Sequence, residues 1–223
     1  MTTVAIEGSN TQTATVGTEH SLHTNAGAKV FILAVNAVNM VNSDIVELRM
    51  KTKVLTGDTI GLTYMATFAH VQTELIKLSV PMPAGGFTSG SEFTLKQTEG
   101  TARNFPWAVW SIGTVVVEDS NTQTAVVGTE HTLNTNSLAK PLTLAVNTVN
   151  MANGDVLELR IKTKVLTGDA VGLAYLATFA NIQTEIIKLS TPTPTVGLAS
   201  ATVFTLKQTA GTARNFPWAI WST

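Results

Sequence analysis

The chain has 223 residues, no cysteine, and a net charge of −1 from 14 basic and 15 acidic side chains scattered along its length. This composition excludes disulfides, thiolate chemistry and cysteine-ligated zinc, and it leaves no basic stripe to neutralise nucleic-acid phosphates. Charged residues make up only 13% of the chain, whereas 37 residues are threonine, a β-branched strand former. A surface so poor in charge is expected to be covered in part by other subunits. No apolar run approaches the roughly 18 residues of a membrane span. The opening MTTVAIEGSNTQ has neither the basic nor the apolar region of a signal peptide, so synthesis in a cytoplasm is expected.

In chain order, Val4–Glu7, Thr11–Val16 and Glu19–Thr24 predict three short strands. Lys29–Val41 predicts a mostly apolar strand interrupted by Asn36 and Asn39. The turn residues Asn42-Ser43-Asp44 lead into Ile45–Leu55, where Val46, Leu48, Met50, Thr52 and Val54 alternate with Glu47, Arg49, Lys51 and Lys53. A period of two over this length marks a half-buried strand. After Thr56-Gly57-Asp58, the segment Thr59–Phe68 puts Ile60, Leu62, Tyr64, Ala66 and Phe68 on one face, and Val71–Ser79 predicts a further strand. Pro81–Gly90 reads as a long loop, because proline cannot sit in a sheet interior. Phe93–Thr98 and Asn104–Ile112 then close the unit around a turn at Gly100.

All of this is written twice. Residues 3–112 align without a gap on 114–223, with 74 identities in 110 positions. TARNFPWAVWS at Thr101–Ser111 returns as TARNFPWAIWS at Thr212–Ser222. The copies differ most at Pro81–Gly90 and its counterpart Pro192–Ala201. A repeat of about 111 residues has the size of an independent domain rather than of a solenoid unit. The expected architecture is therefore all-β: two tandem, near-identical antiparallel β-sandwich domains, residues 1–112 and 113–223. Eight or nine short strands per copy make a jelly roll the first expectation and an immunoglobulin-like sandwich the second.

Chemistry is harder to find. His20 recurs as His131, but His23 becomes Asn134 and His70 becomes Asn181. Residues three apart on a strand point to opposite faces, so His20 and His23 make a poor metal pair. Asp44 with Glu47, and Asp58 with Glu74, are the nearby carboxylates, yet both aspartates sit in turns where aspartate is expected. No nucleophile elbow and no phosphate loop is present. The reading is of a non-enzyme with no catalytic residue, metal or cofactor. In the recurring stretch, Phe105, Trp107 and Val109 are expected on the core face. Trp110 and Trp221, at the opposite parity, are the interface candidates. Arg103 and Arg214 either anchor the preceding loop or make an intersubunit pair.

The Cys-free, Thr-rich, charge-poor β pattern, with FTLKQT leading into GTARNFPW, resembles the structural proteins of tailed-phage virions. Within that group it is most similar to jelly-roll capsid decoration, or cement, proteins. The resemblance implies a place on the capsid surface, the major capsid protein as partner, and a homo-oligomer such as a dimer or trimer. It implies neither nucleic acid nor membrane as a partner. A carbohydrate-binding or fibre (receptor-binding) module is the alternative, followed by a duplicated-barrel capsid subunit.

Overall fold

A computed structural model describes residues 4–88, 90–166, 169–194 and 202–223. The period-two alternation and the β-branched content do what they predict, and every regular element among the described residues is a strand. The chain divides into two units, Met1–Val115 and Val116–Thr223. The division falls three residues beyond the expected one, because the last strand of the first unit continues through Thr114.

The first unit contains β1 (Ala5–Ala14), β2 (Glu19–Asn25), β3 (Ala28–Asn36), β4 (Ile45–Thr52), β5 (Gly61–Ala69), β6 (Ile76–Leu78), β7 (Met82–Gly85), β8 (Ser91–Glu99) and β9 (Arg103–Thr114). Their pairing is nested: β1 with β9, β2 with β8, β3 with β6 and β7, and β4 with β5. That is one long hairpin bent at β4–β5. Rolling it up pairs β9 with β3 and β8 with β4 as well, all antiparallel. Two sheets result, β1-β9-β3-β6 with β7 beside β3, and β2-β8-β4-β5. This is the strand order of a jelly roll.

In the second unit the strands are β10 (Val116–Ala125), β11 (Glu130–Asn136), β12 (Pro141–Asn147), β13 (Val156–Thr163), β14 (Gly172–Ala180), β15 (Ile187–Leu189), β16 (Thr193–Pro194), β17 (Thr202–Ala210) and β18 (Arg214–Ser222). They form β10-β18-β12-β15, with β16 beside β12, and β11-β17-β13-β14, the same two orders.

Several expected boundaries shift for identifiable reasons. Val4–Glu7 and Thr11–Val16 belong to one strand, β1, whose apparent break at Gly8 is a bulge between Ile6 and Gly8. Lys29–Val41 stops at Asn36, whose side-chain Oδ1 accepts the Val38 N–H at 3.0 Å and starts a turn. Val71–Ser79 yields only the three residues of β6. Pro81–Gly90 is not all loop. Met82–Gly85 pairs with β3 from the outside, an edge position that Pro83 tolerates because it owes the ladder no N–H. Of Pro192–Ala201, Thr193 and Pro194 pair with β12, and residues 195–201 lie outside the described residues.

The core of each unit lies between its two sheets. In the first, Phe31, Leu33, Val46, Leu48, Phe93, Leu95, Phe105 and Val109 are all buried. The Phe31 and Phe93 rings meet edge to face with centroids 5.3 Å apart. The second unit uses Leu142, Leu144, Leu157, Leu159, Phe204, Leu206, Phe216 and Ile220 at the same positions.

One pair of differences between the copies is a coupled exchange. A Cβ on Gly8 would lie 2.7 Å from Nδ1 of His23, so the imidazole occupies the space of an absent side chain. In the second copy both residues change together, and Asn134 Nδ2 donates to Asp119 Oδ2 at 2.6 Å. The single variant Gly8→Asp is expected to lower the unfolding free energy by about 1–3 kcal/mol through overpacking. The pair Gly8→Asp with His23→Asn is expected to recover most of it. A denaturation double-mutant cycle on the full chain measures this, and additive effects would refute the coupling.

Candidate functional site

The most connected polar group in each unit is a buried aspartate. Asp44 closes the turn between β3 and β4 and has no exposed surface. Its Oδ2 accepts the Val41 N–H at 2.9 Å and Nε of Arg103 at 3.1 Å, while Oδ1 accepts the Thr101 N–H at 3.3 Å and Nε2 of Gln97 at 3.2 Å. The same Gln97 amide donates to the carbonyls of Glu99 and Thr101. Since β3 and β9 lie in one sheet and β4 and β8 in the other, this carboxylate clips together two crossovers at one end of the sandwich. Gly100 makes the approach possible. Its φ is +96°, and a Cβ there would sit 1.9 Å from Asp44 Oδ1.

Asp155 repeats the arrangement with Ala152, Arg214, Thr212 and Gln208, and Gly211 repeats Gly100. Burial alone would raise the Asp155 pKa. The backbone hydrogen bonds from Ala152 and Thr212, with Arg214, outweigh that and hold it below its ordinary value. Arg103 and Arg214 therefore anchor the preceding loop, the first of their two sequence readings. The pairing Asp44–Glu47 does not exist as a site, because Asp44 is buried in this cluster and Glu47 faces outward with Arg49.

The outward face of sheet β2-β8-β4-β5 carries a charged ladder. Glu19 accepts from Arg49 at 2.9 Å, Lys51 at 2.8 Å and Thr94 Oγ1 at 2.6 Å, and Lys51 reaches Glu92 at 3.3 Å. In the second unit Glu130 binds Arg160, Lys162 and Thr205 in the same way. These are the cross-strand ion pairs expected from the alternation in Ile45–Leu55. Burial raises the Glu19 and Glu130 pKa values, but the lysine and threonine donors win, and both end below their ordinary value.

The outward face of the other sheet is different in kind. By register, Ile6, Trp110 and Ile32 form one row, and Ser9, Ala108, Ala34 and Leu78 the next. Thr11, Pro106, Asn36 and Ile76 extend it, and none of these side chains is charged. Glu7, in the β1 bulge, is taken up by Lys29 at 2.7 Å and by Ser111 and Asn25. Its pKa is lowered chiefly by Lys29, then by Ser111. Trp110 thus stands half-buried at the centre of an uncharged surface, as its parity implies. Trp221 does not match its expectation. At the row position equivalent to Trp110, flanked by Val117 and Thr143 on the neighbouring strands, it is fully buried. Phe105 and Val109 are buried as expected, while Trp107 is half-buried and its twin Trp218 buried.

His20, His131 and His70 serve the backbone. Nε2 of His20 accepts the Thr15 N–H at 2.9 Å, and His131 does the same for Val126 at 3.0 Å. His70 and Asn181 occupy equivalent left-handed positions, with φ of 65° and 62°. His70 bonds the Asn42 carbonyl from its ring, and Asn181 Oδ1 accepts the Gly154 N–H at 2.9 Å. Among the described residues, no group of three or more His, Asp or Glu side chains is placed to hold a metal ion.

No family model matches the chain, and no curated protein matches it. Among solved structures, it is similar to the PBSX exported protein XepA, with TM-score 0.36 and 10% identity over 98% of this chain and 86% of that one. It is also similar to the CBM22-1–CBM22-2 tandem domain of Paenibacillus barcinonensis Xyn10C, with TM-score 0.24 and 9% identity over 99% and 93%. The Macrobrachium rosenbergii nodavirus structure follows, with TM-score 0.22 and 11% identity over 98% and 96%. Scores this low carry no functional argument.

Two measurements check the polar clusters. Asp44→Ala is expected to destabilise the protein by about 3–5 kcal/mol, since it leaves Arg103 and the turn N–H groups without their acceptor. Asp44→Asn should recover part of this, and an Asp44→Ala protein as stable as wild type would contradict the role assigned to the cluster. The second is acid stability. Asp155, Glu7, Glu19, Glu118 and Glu130 all have lowered folded pKa values. Their contribution is complete above the unfolded values and is lost as pH falls through the folded ones. The unfolding free energy should therefore hold steady just above about pH 5 and drop continuously below it. A flat profile down to about pH 2 contradicts the lowered values.

Proposed function

We propose that this chain is a non-enzymatic structural protein of a virion, and specifically a capsid decoration or cement protein that binds and braces the shell. The observation carrying the reading is a pair of jelly-roll units in one chain, each with a sheet face whose outward residues are uncharged. An uncharged, aromatic-centred face suits burial against protein. Two tandem units on one chain, whichever of their surfaces engage the shell, turn a second weak contact into an intramolecular one, so the pair binds a repetitive lattice far more strongly than either alone. The partner is the major capsid protein, and the free protein is a homo-oligomer. Of the acids weighed for chemistry in the sequence, Asp44 holds a turn and Glu47 pairs with Arg49 in the charged ladder.

The test uses purified shells of the virus that encodes the chain. The protein is expected to co-sediment with them saturably and to raise the temperature at which they disassemble. Failure to co-sediment contradicts the proposal. Retention on immobilised polysaccharide without shell binding would replace it with the carbohydrate-binding reading.

A further inference from the structure

A sheet edge is where one copy of a β protein can extend the hydrogen-bond ladder of another, and most edges of this fold are blunted. β1 and β2 carry bulges and the acids Glu7 and Glu19. β6 has three residues, one of them Lys77, and β7 contains Pro83. Bulges, charge, shortness and proline all discourage edge pairing. β5 lacks most of these devices. Among the described strands it pairs with β4 alone, and its nine residues, GLTYMATFA, hold neither charge nor proline. Its irregularity, opposite Met50 and Lys51, lies near its start and leaves Tyr64–Ala69 regular. The second unit repeats the pattern. β10 and β11 have bulges and acids, β15 is short with Lys188, β16 has Pro194, and β14 is the uncharged GLAYLATFA.

The direction of the edge groups follows from the ladder. The His70 N–H donates to the Asp44 carbonyl, and the Asn181 N–H to the Asp155 carbonyl, both at 2.8 Å. Counting back in twos, Phe68 and Ala66 turn their backbone groups toward β4, whereas Ala69, Thr67 and Met65 turn theirs off the sheet. Ala180, Thr178 and Leu176 do the same in β14. The Gln72 and Gln183 side-chain amides cap the Ala69 and Ala180 carbonyls, so the open edge centres on Thr67 and Thr178.

We infer that copies of this chain join edge to edge, β5 or β14 of one copy running antiparallel to β5 or β14 of the next about Ala66 or Ala177. The segment is complementary to itself in that register. Tyr64 falls opposite the partner's Phe68, a favourable aromatic cross-strand pair, and Met65 falls opposite the partner's Thr67. The flanking charges select the same register. Arg49 lies beside Met65 and Glu47 beside Thr67, so a row that begins at Arg49 ends at the partner's Glu47. Centring on Met65 or Thr67 instead would end a row in two arginines or two glutamates. Arg160 beside Leu176 and Glu158 beside Thr178 impose the same choice on β14. The inference rests on the reading of the free protein as a homo-oligomer and names its interface.

Two experiments on the full chain test it. Because the chain has no cysteine, Ala66→Cys with Ala177→Cys adds thiols only at the proposed axis. Cα atoms paired there are about 4.5 Å apart, within disulfide reach. Mild oxidation is expected to link copies covalently. Ala69→Cys with Ala180→Cys should not link, since those residues would lie about 20 Å from their equivalents. The second experiment is light scattering over a concentration series. Wild type is expected to exceed a monomer. Thr67→Pro with Thr178→Pro removes two N–H groups that β4 and β13 do not use, and thermal unfolding checks that it folds. This double variant should stay monomeric, and each single variant should stop at a dimer, because an edge paired with its like closes at two. A monomeric wild type, a folded double proline variant that assembles normally, or equal linking at both cysteine pairs would overturn the inference. Shell co-sedimentation is read separately. A monomeric wild type that binds shells overturns the edge contact and leaves the decoration role standing. Edge-linked copies that ignore shells support the contact and overturn that role.

Discussion

A carboxylate with no exposed surface, inserted where the chain crosses between sheets, is the constraint on which each unit depends. Burying such a charge is costly unless every lone pair finds a donor. Asp44 meets that condition with two backbone N–H groups, a glutamine amide and a guanidinium. The requirement propagates outward. Gln97 must be buried beside it, residue 100 must be glycine, and Arg103 must open the last strand. The strand that follows then enters the sheet with Phe105 and Val109 inward and Trp110 outward. The recurrence of T-A-R-N-F-P-W 111 residues later is the imprint of this cluster.

Around that fixed point the two copies have diverged by exchanges that preserve local physics. Gly8 with His23 and Asp119 with Asn134 are two solutions to one volume, the first filling it with a ring and the second with a hydrogen-bonded pair. His70 and Asn181 are two polar residues that hold a left-handed backbone position by bonding into the neighbouring β3–β4 or β12–β13 turn. In the core, Phe31 becomes Leu142, Met50 becomes Ile161 and Val46 becomes Leu157, so apolar character is kept while volume is redistributed.

Much of the fold was legible in the sequence because alternation is a direct print of burial. Ile45–Leu55 shows it most clearly: its apolar set is the inner face of β4, and its charged set is the outer ladder. Less legible was anything decided by partners distant in sequence. The Met82–Gly85 strand owes its existence to β3, which proline content alone argues against. The continuity of β1 depends on β9 pairing across a bulge. Asp44 and Arg103, 59 residues apart, gave separate local signals, a turn and a loop anchor, and only the rolled hairpin brings them together. The weak charge of the chain hinted at covered surface. It took the register to show that the charge is gathered on one sheet while the other sheet's face has none. Trp221 was misjudged because parity assigns a side chain to a face of the sheet but does not set its exposure.

The functional picture follows from the same division of labour. Rigid ends, one charged outer face and one uncharged outer face are common to both units, and the buried aspartates and ladder glutamates are engaged in holding shape. The most direct test of this account is native-state hydrogen exchange at the backbone amides of Val41, Thr101, Ala152 and Thr212, which donate to the two buried aspartates. If the clusters hold the units together, these turn and loop amides exchange only through global unfolding, with the protection of core strands. Exchange at the rate of ordinary exposed turns would contradict it.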